Sequence, residues 1–124
     1  LSFAGGLEKA NKVLEKILEL VPDVSHQEIR EKVSLFILER INSGEREALM
    51  HMGKYYLDIL DAADYNKSYL FYSIASAFSE VGAKEKRDEI LFEVENDKIV
   101  ELQGQASIMF EKLRKGEKIE MLKD

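Results

Sequence analysis

A chain of 124 residues, 45% hydrophobic and 34% charged, has the length of one ordinary domain and enough apolar content for a core; at this size about two-thirds of the unfolded surface is buried on folding, so no staple is needed. The absence of cysteine excludes a disulfide framework and any cysteine-based metal knuckle. Acidic residues outnumber basic ones 24 to 18, for a net charge of −6, which disfavours nucleic-acid binding and attachment to an anionic membrane, both of which need a basic face.

No apolar run approaches the roughly 20 residues that cross a bilayer. The chain begins at Leu1 rather than methionine, and the stretch Leu1 to Gly6 reads as the remnant of a processed leader or of a longer chain. Period-3.6 patterns cover nearly all the rest, and no two-residue alternation competes with them. The expectation is an all-α chain of about six helices.

The first helix is expected from Leu7 to Val21, with Leu7, Ala10, Val13, Leu14, Ile17, Leu18 and Val21 in one apolar stripe. Pro22 ends it, because proline disfavours helical geometry in the residue before it. Ser25 and Glu28 have the spacing of a capping box and open a second helix, buried through Ile29, Val33, Phe36, Ile37 and Ile41 and closed by Asn42, Ser43 and Gly44. The third spans about Glu45 to Leu60, with Ala48, Leu49, Met52, Gly53, Tyr56 and Ile59 or Leu60 inward.

Asp64 is the expected N-cap of a fourth helix, buried through Ser68, Phe71, Tyr72, Ala75 and Phe78. A fifth, from Ala83 to about Val94, carries Ile90, Leu91 and Val94. Asn96 or Asp97 is then expected to cap a sixth, which uses Ile99, Val100, Leu102, Ala106, Met109, Phe110 and Leu113 and stops near Gly116, with a fraying tail to Asp124. Helices of this length joined by short connections imply antiparallel neighbours. Ala48 and Ala83 lie 35 residues apart, each opening a helix after a turn, and helix–turn–helix repeats have a period of about that length.

The residues at these positions carry a resemblance. The segment from Gly44 to Tyr56 (GEREALMHMGKYY) resembles the first helix of a Sel1-like repeat, which reads Gly-acidic-x-x-Ala, then Leu-Gly, then Tyr. Asp64 to Ala75 (DYNKSYLFYSIA) resembles the second helix, with its Asp-Tyr start, small residue, aromatic pair and small residue. Ala83 to Ile90 (AKEKRDEI), followed by Val94 and Ile99, looks like the capping region after a last repeat. The resemblance covers about residues 44–103. Ser68 stands where the family prefers Ala, Ser79 where it has Gly, and the turn between the third and fourth helices lacks Gly-x-Gly-Val.

The resemblance implies a short α-solenoid of stacked antiparallel hairpins. In it, residues 1–43 form an N-terminal hairpin (a decayed repeat or a separate cap), 44–82 the repeat, and 83–124 the C-terminal capping helices. It also gives the pattern a reason: Ala48, Gly53 and Ala75 let backbones approach, and Tyr56, Phe71 and Tyr72 fill the space between hairpins.

Catalytic signals are missing from the sequence. His26 and His51 are the only histidines; Glu47 lies one turn from His51, but no further ligand at metal spacing accompanies them. The carboxylate pairs Glu45 with Glu47, Asp58 with Asp61 and Glu93 with Glu95 suit a solvated face. Ser34, Ser73, Ser76 and Ser79 lack a nucleophile elbow, and there is no phosphate loop or dinucleotide fingerprint. No catalytic residue, metal or cofactor is expected.

What the resemblance implies is a binding module for a protein or peptide, with the first helix of each hairpin lining a concave surface. On the third helix the face away from the core carries Glu47, Met50, His51, Lys54 and Asp58, a mixed polar stripe suited to a peptide or a partner's helix. Tyr55, Tyr65 and Tyr69 are harder to bury together, and exposed tyrosines favour interfaces. The alternative is a self-associating helical bundle, a homodimer without outside ligand, with Met109, Phe110 and Leu113 as its seam.

Overall fold

The computed structural model describes residue 12 and residues 23–59 and 62–120. Within them the chain is all-helical, with five α-helices and no strand. We label these α1 (Asp23–Asn42), α2 (Glu47–Lys54, running on into a π turn at Tyr55–Ile59), α3 (Tyr65–Ala77), α4 (Ala83–Leu91) and α5 (Ile99–Arg114), with a 3₁₀ turn at Asn96–Lys98 ahead of α5. They correspond to five of the six expected helices; the helix expected at Leu7 to Val21 lies outside the described residues.

The helix ends follow local chemistry. The Asp64 carboxylate accepts from the Lys67 backbone N–H at 3.0 Å and caps α3. Ser25 does not cap α1, because it is already two residues inside the helix. Neither Asn96 nor Asp97 caps α5: both lie in the 3₁₀ turn, whose tighter winding feeds the helix through Lys98 without a side-chain cap.

Three helices end in the same way. After α1, α3 and α5 the backbone turns left-handed at Gly44, Ser79 and Gly116, and paired return bonds satisfy the last carbonyls, such as Ser79 N–H to Ser76 at 2.9 Å and Glu80 N–H to Ala75 at 3.0 Å. Ser79 does this with φ of 61°, a conformation that costs a residue with a Cβ about 1–2 kcal/mol. Ser79→Gly is therefore expected to raise stability by about 1 kcal/mol in urea unfolding; a fall would show that the Ser79 side chain, rather than its backbone, matters there.

The core is organised around α3. Ser68, Tyr69, Leu70, Phe71, Tyr72, Ile74 and Ala75 are all buried, which is most of its circumference and more than the single stripe that periodicity predicts. The reason is tertiary, since α2, α4 and α5 all pack on α3. On its α2 side Ala48, Leu49 and Met52 are fully buried, and Tyr56 stacks on Phe71 with ring centres 5.8 Å apart. The Ser68 hydroxyl donates to the Gly53 carbonyl at 2.8 Å, so the hydroxyl that departs from the resemblance has a partner.

α1 packs on α2 through Ile37 and Ile41, with Ile29 and Val33 partly buried. Its join to the π turn is polar. The Tyr55 hydroxyl donates to the Arg30 carbonyl at 2.9 Å, and Arg30 Nε donates to the Ile59 carbonyl at 3.1 Å. Phe36, expected inside, is 41% exposed, because it lies off the face on which Ile37 and Ile41 pack against α2; the Arg40 guanidinium lies over its ring.

α5 is held by Arg46. Its guanidinium lies 4.0 Å from the Phe78 ring centre and donates to the Leu113 carbonyl at 3.3 Å, while Phe78 meets Phe110 edge-on at 4.5 Å. Leu102, Ala106, Met109 and Leu113 face inward, whereas Val100 is 78% exposed and leaves the expected core. Beyond Gly116 the chain does not fray at once. Ile119 is buried, and the Asn42 side-chain amide both donates to its carbonyl (3.0 Å) and accepts from its N–H (2.9 Å). Residues 121–124 of the expected fraying tail lie outside the described residues.

No helix among the described residues is long and apolar enough to cross a membrane.

Candidate functional site

Four of the five stripe residues on α2 come together. Met50, His51, Lys54 and Asp58 line one shallow groove of about 350 Å³, with Leu57, with Lys86 from α4, and with Tyr72 from α3. Glu47 is exposed one turn earlier and falls outside this groove; its charge instead acts on Glu80. Burial and that neighbouring charge hold the Glu80 carboxyl above the usual range, opposed by Arg46.

The stripe is more sunken than a helical wheel implies. His51 is buried, Met50 and Lys54 are half-buried, and only Glu47 and Asp58 are exposed. The wheel places His51 across from the core, yet it is 5% exposed and shares the groove lining with Tyr72 and Lys86. Side chains project as the sequence predicts, into a furrow rather than onto an open face.

Tyr72 settles the depth of the groove. Its ring lies so close against α2 that a Cβ at Gly53 would stand 2.7–2.8 Å from three ring atoms, and the tyrosine is 3% exposed. Burial first, and then the Asp58 and Glu89 carboxylates, push its hydroxyl up to about 12 from an ordinary 10.0. Burial also raises the Tyr55 hydroxyl.

A tyrosine whose folded pKa is raised contributes stability that is fully present below its unfolded pKa and is lost as pH climbs through the folded one. Stability should therefore fall between about pH 10 and pH 12, more steeply in wild type than in Tyr72→Phe. Urea titrations at stepped pH would measure this, and parallel losses in the two proteins would remove Tyr72 as a cause.

The groove carries both signs of charge. Lys54 and Lys86 stand with Asp58, Lys86 also pairs with Glu89 at 3.7 Å, His51 adds a polar ring, and Met50 and Leu57 supply apolar wall. Such a surface can hold a chain segment by mixed polar and apolar contacts. No group of three or more His, Cys, Asp or Glu that could hold a metal is found among the described residues.

Sequence reasoning missed three groove residues. Tyr72 reads as packing, and it does pack, but one face of its ring forms the groove floor. Lys86 sits in a run of alternating charge that reads as a solvated helix start, and nothing local tells which of its charges faces α2. Leu57 lies within the π turn, whose wider winding shifts the face of later residues.

Of the other expected contact groups, Tyr55 and Tyr69 are buried and only Tyr65 is exposed, at 38%; their hydroxyls reach polar partners on α1 and α5, which makes burial affordable for them. The seam expected at Met109, Phe110 and Leu113 also lies inward, with Met109 and Leu113 buried and Phe110 packed on Phe78. Set against protein-family models, curated proteins and solved structures, the chain matches none.

Proposed function

We propose that the chain is a non-enzymatic protein-interaction module of Sel1-like or tetratricopeptide-like type, which takes a peptide or a partner's helix in the groove between α2 and α4. The observation that carries this is the convergence of Met50, His51, Lys54 and Asp58 with Lys86 and Tyr72 on one furrow. In a stacked-hairpin array α2 and α4 would be the first helices of successive hairpins, the elements that line a concave face. Gly53 against Tyr72 and the buried Ala48 and Ala75 support the same reading, since they are the small positions such hairpins need. A groove this short gives modest affinity unless it is extended by more repeats or by self-association.

The test is a peptide-display selection on wild type, repeated on a folded variant carrying Met50→Glu, Lys54→Glu and Asp58→Lys. Peptides enriched on wild type are expected to lose at least about tenfold in affinity on the variant, the equivalent of one or two lost contacts. Equal binding to both would move the site off α2, and no enrichment on wild type would overturn the reading.

A second reading, a self-associating structural unit, is favoured by a different observation: Phe92, Val100 and Ile108 are 91%, 78% and 60% exposed. Light scattering over a dilution series separates the two, because only this reading requires a concentration-dependent dimer.

A further inference from the structure

A second concavity lies between α4 and α5. The helices α4 and α5 follow one another in the chain and both pack on α3, yet they scarcely approach each other. The gap between them is a cleft of about 400 Å³ with α3 as its floor, within the range of small-ligand sites.

Its lining is unlike that of a helix-docking groove. Tyr69 and Ser73 supply hydroxyls from the floor, Gln103 an amide from α5, and Arg87 with Asp88 a cation and an anion side by side on α4; Leu91 and Phe110 provide the apolar part of the wall. Gln103 Nε2 donates to the Tyr69 hydroxyl at a long 3.3 Å. Arg87 reaches Asp88 through Nε and Nη2 at 3.2 and 3.1 Å, and the Ser76 hydroxyl at 3.4 Å.

Two features mark this lining as unsatisfied. The Ser73 hydroxyl oxygen is buried and has no hydrogen-bond partner among the described residues, and a buried polar group left so is destabilising. The Arg87–Asp88 pair joins neighbours in sequence at the cleft mouth, with side chains 29% and 54% exposed, so the pair itself is weak and readily exchanged. Adjacent positive and negative groups, neutral hydrogen-bonding partners beneath them and a short aliphatic and aromatic wall together complement a small molecule that carries a carboxylate, an ammonium and an apolar side chain.

We propose that this cleft binds a small zwitterion, a free α-amino acid or a dipeptide with an aliphatic side chain. Its carboxylate takes Arg87 in bidentate fashion, its ammonium takes Asp88, its remaining polar groups meet Ser73, Tyr69 and Gln103, and its side chain lies against Leu91 and Phe110. This is independent of the α2–α4 groove, which shares none of these residues.

The experiment is an NMR titration of the ¹⁵N-labelled chain with L-leucine, with glycyl-leucine and with the uncharged N-acetylleucine amide. At least one zwitterion is expected to shift amides around Ser73, Arg87 and Gln103 saturably, and which one does so identifies the source. The uncharged amide should bind about tenfold or more weakly, as should the zwitterion to Arg87→Met and Asp88→Asn, each of which loses one charge-assisted contact. Ser73→Ala should weaken binding severalfold while leaving the melting temperature of the ligand-free chain unchanged or higher, a pattern that misfolding would not give. The proposal is overturned if neither zwitterion gives saturable shifts in this cleft, if the uncharged amide binds equally well, or if Arg87→Met binds as wild type does.

Discussion

Phe71→Ala is expected to lower the unfolding free energy by about 3–5 kcal/mol, a large share of the roughly 5–15 kcal/mol that holds a domain folded. Phe71 is fully buried at the centre of α3, where its ring stacks on Tyr56 with planes 12° apart. Truncation removes the transfer free energy of the ring and leaves a void between α2 and α3, and the surrounding side chains belong to a helix packed on three sides that can close in only partly. Phe71→Leu, which keeps part of the volume, should lose less than half as much. Urea unfolding followed by circular dichroism measures both. A loss below about 1 kcal/mol for the alanine variant, small for a core truncation, would mean that α2 and α3 are not packed through this ring.

Gly53→Ala should destabilise, although alanine is normally the better helix former by about 1 kcal/mol. The added Cβ would stand 2.7–2.8 Å from three atoms of the Tyr72 ring, well inside the ~3.5–4.0 Å at which carbons attract. To accommodate it, the ring must leave its buried seat and move into the groove, and overpacking of this kind costs about 1–3 kcal/mol. The steric loss therefore exceeds the propensity gain. A larger change, Gly53→Leu, should sit at the upper end of that range.

Two controls isolate the cause. In a Tyr72→Ala background the ring is gone, so Gly53→Ala should become neutral or stabilising, giving a strong positive coupling in a double-mutant cycle. Gly104 lies in α5 with nothing within 4 Å of where its Cβ would be, and there Gly→Ala should gain about 1 kcal/mol. If Gly53→Ala stabilised the wild-type chain as Gly104→Ala is expected to, the close approach of α2 and α3 would be refuted. Because Tyr72 floors the α2–α4 groove, Gly53→Ala should also weaken any peptide bound there, and the two effects should appear together.

Much of this architecture could be read from the order of residues. Period-3.6 spacing gives α1 to α5 with most of their bounds. The Asp64 cap and the stop signals at Gly44 and Gly116 follow from local hydrogen bonding and backbone sterics, which involve only a few neighbouring residues. Gly53 announces a close helix approach, because glycine is a poor helix former whose place inside a helix points to a need for space. The stripe Met50, His51, Lys54 and Asp58 could be read as one face, since a helix alone fixes which of its residues share a side.

What sequence could not supply is how many neighbours each helix would have. α3 is buried nearly all round because three helices pack on it. Among the described residues α1 has one strongly packed neighbour, α2, and α5 one, α3, and Phe36 and Val100 lie off those faces and stay exposed. Periodicity marks a preferred face but carries no measure of how wide that face becomes, which depends on packing between segments far apart in the chain. The same holds for function-bearing surfaces. Lys86 joins Lys54 and Asp58, Tyr72 floors their groove, and Arg87 faces Gln103 across a cleft, only because α4 and α5 splay apart on α3. Local sequence decided which helices form and what they present; the angles at which they pack on α3 decided which of those side chains would meet.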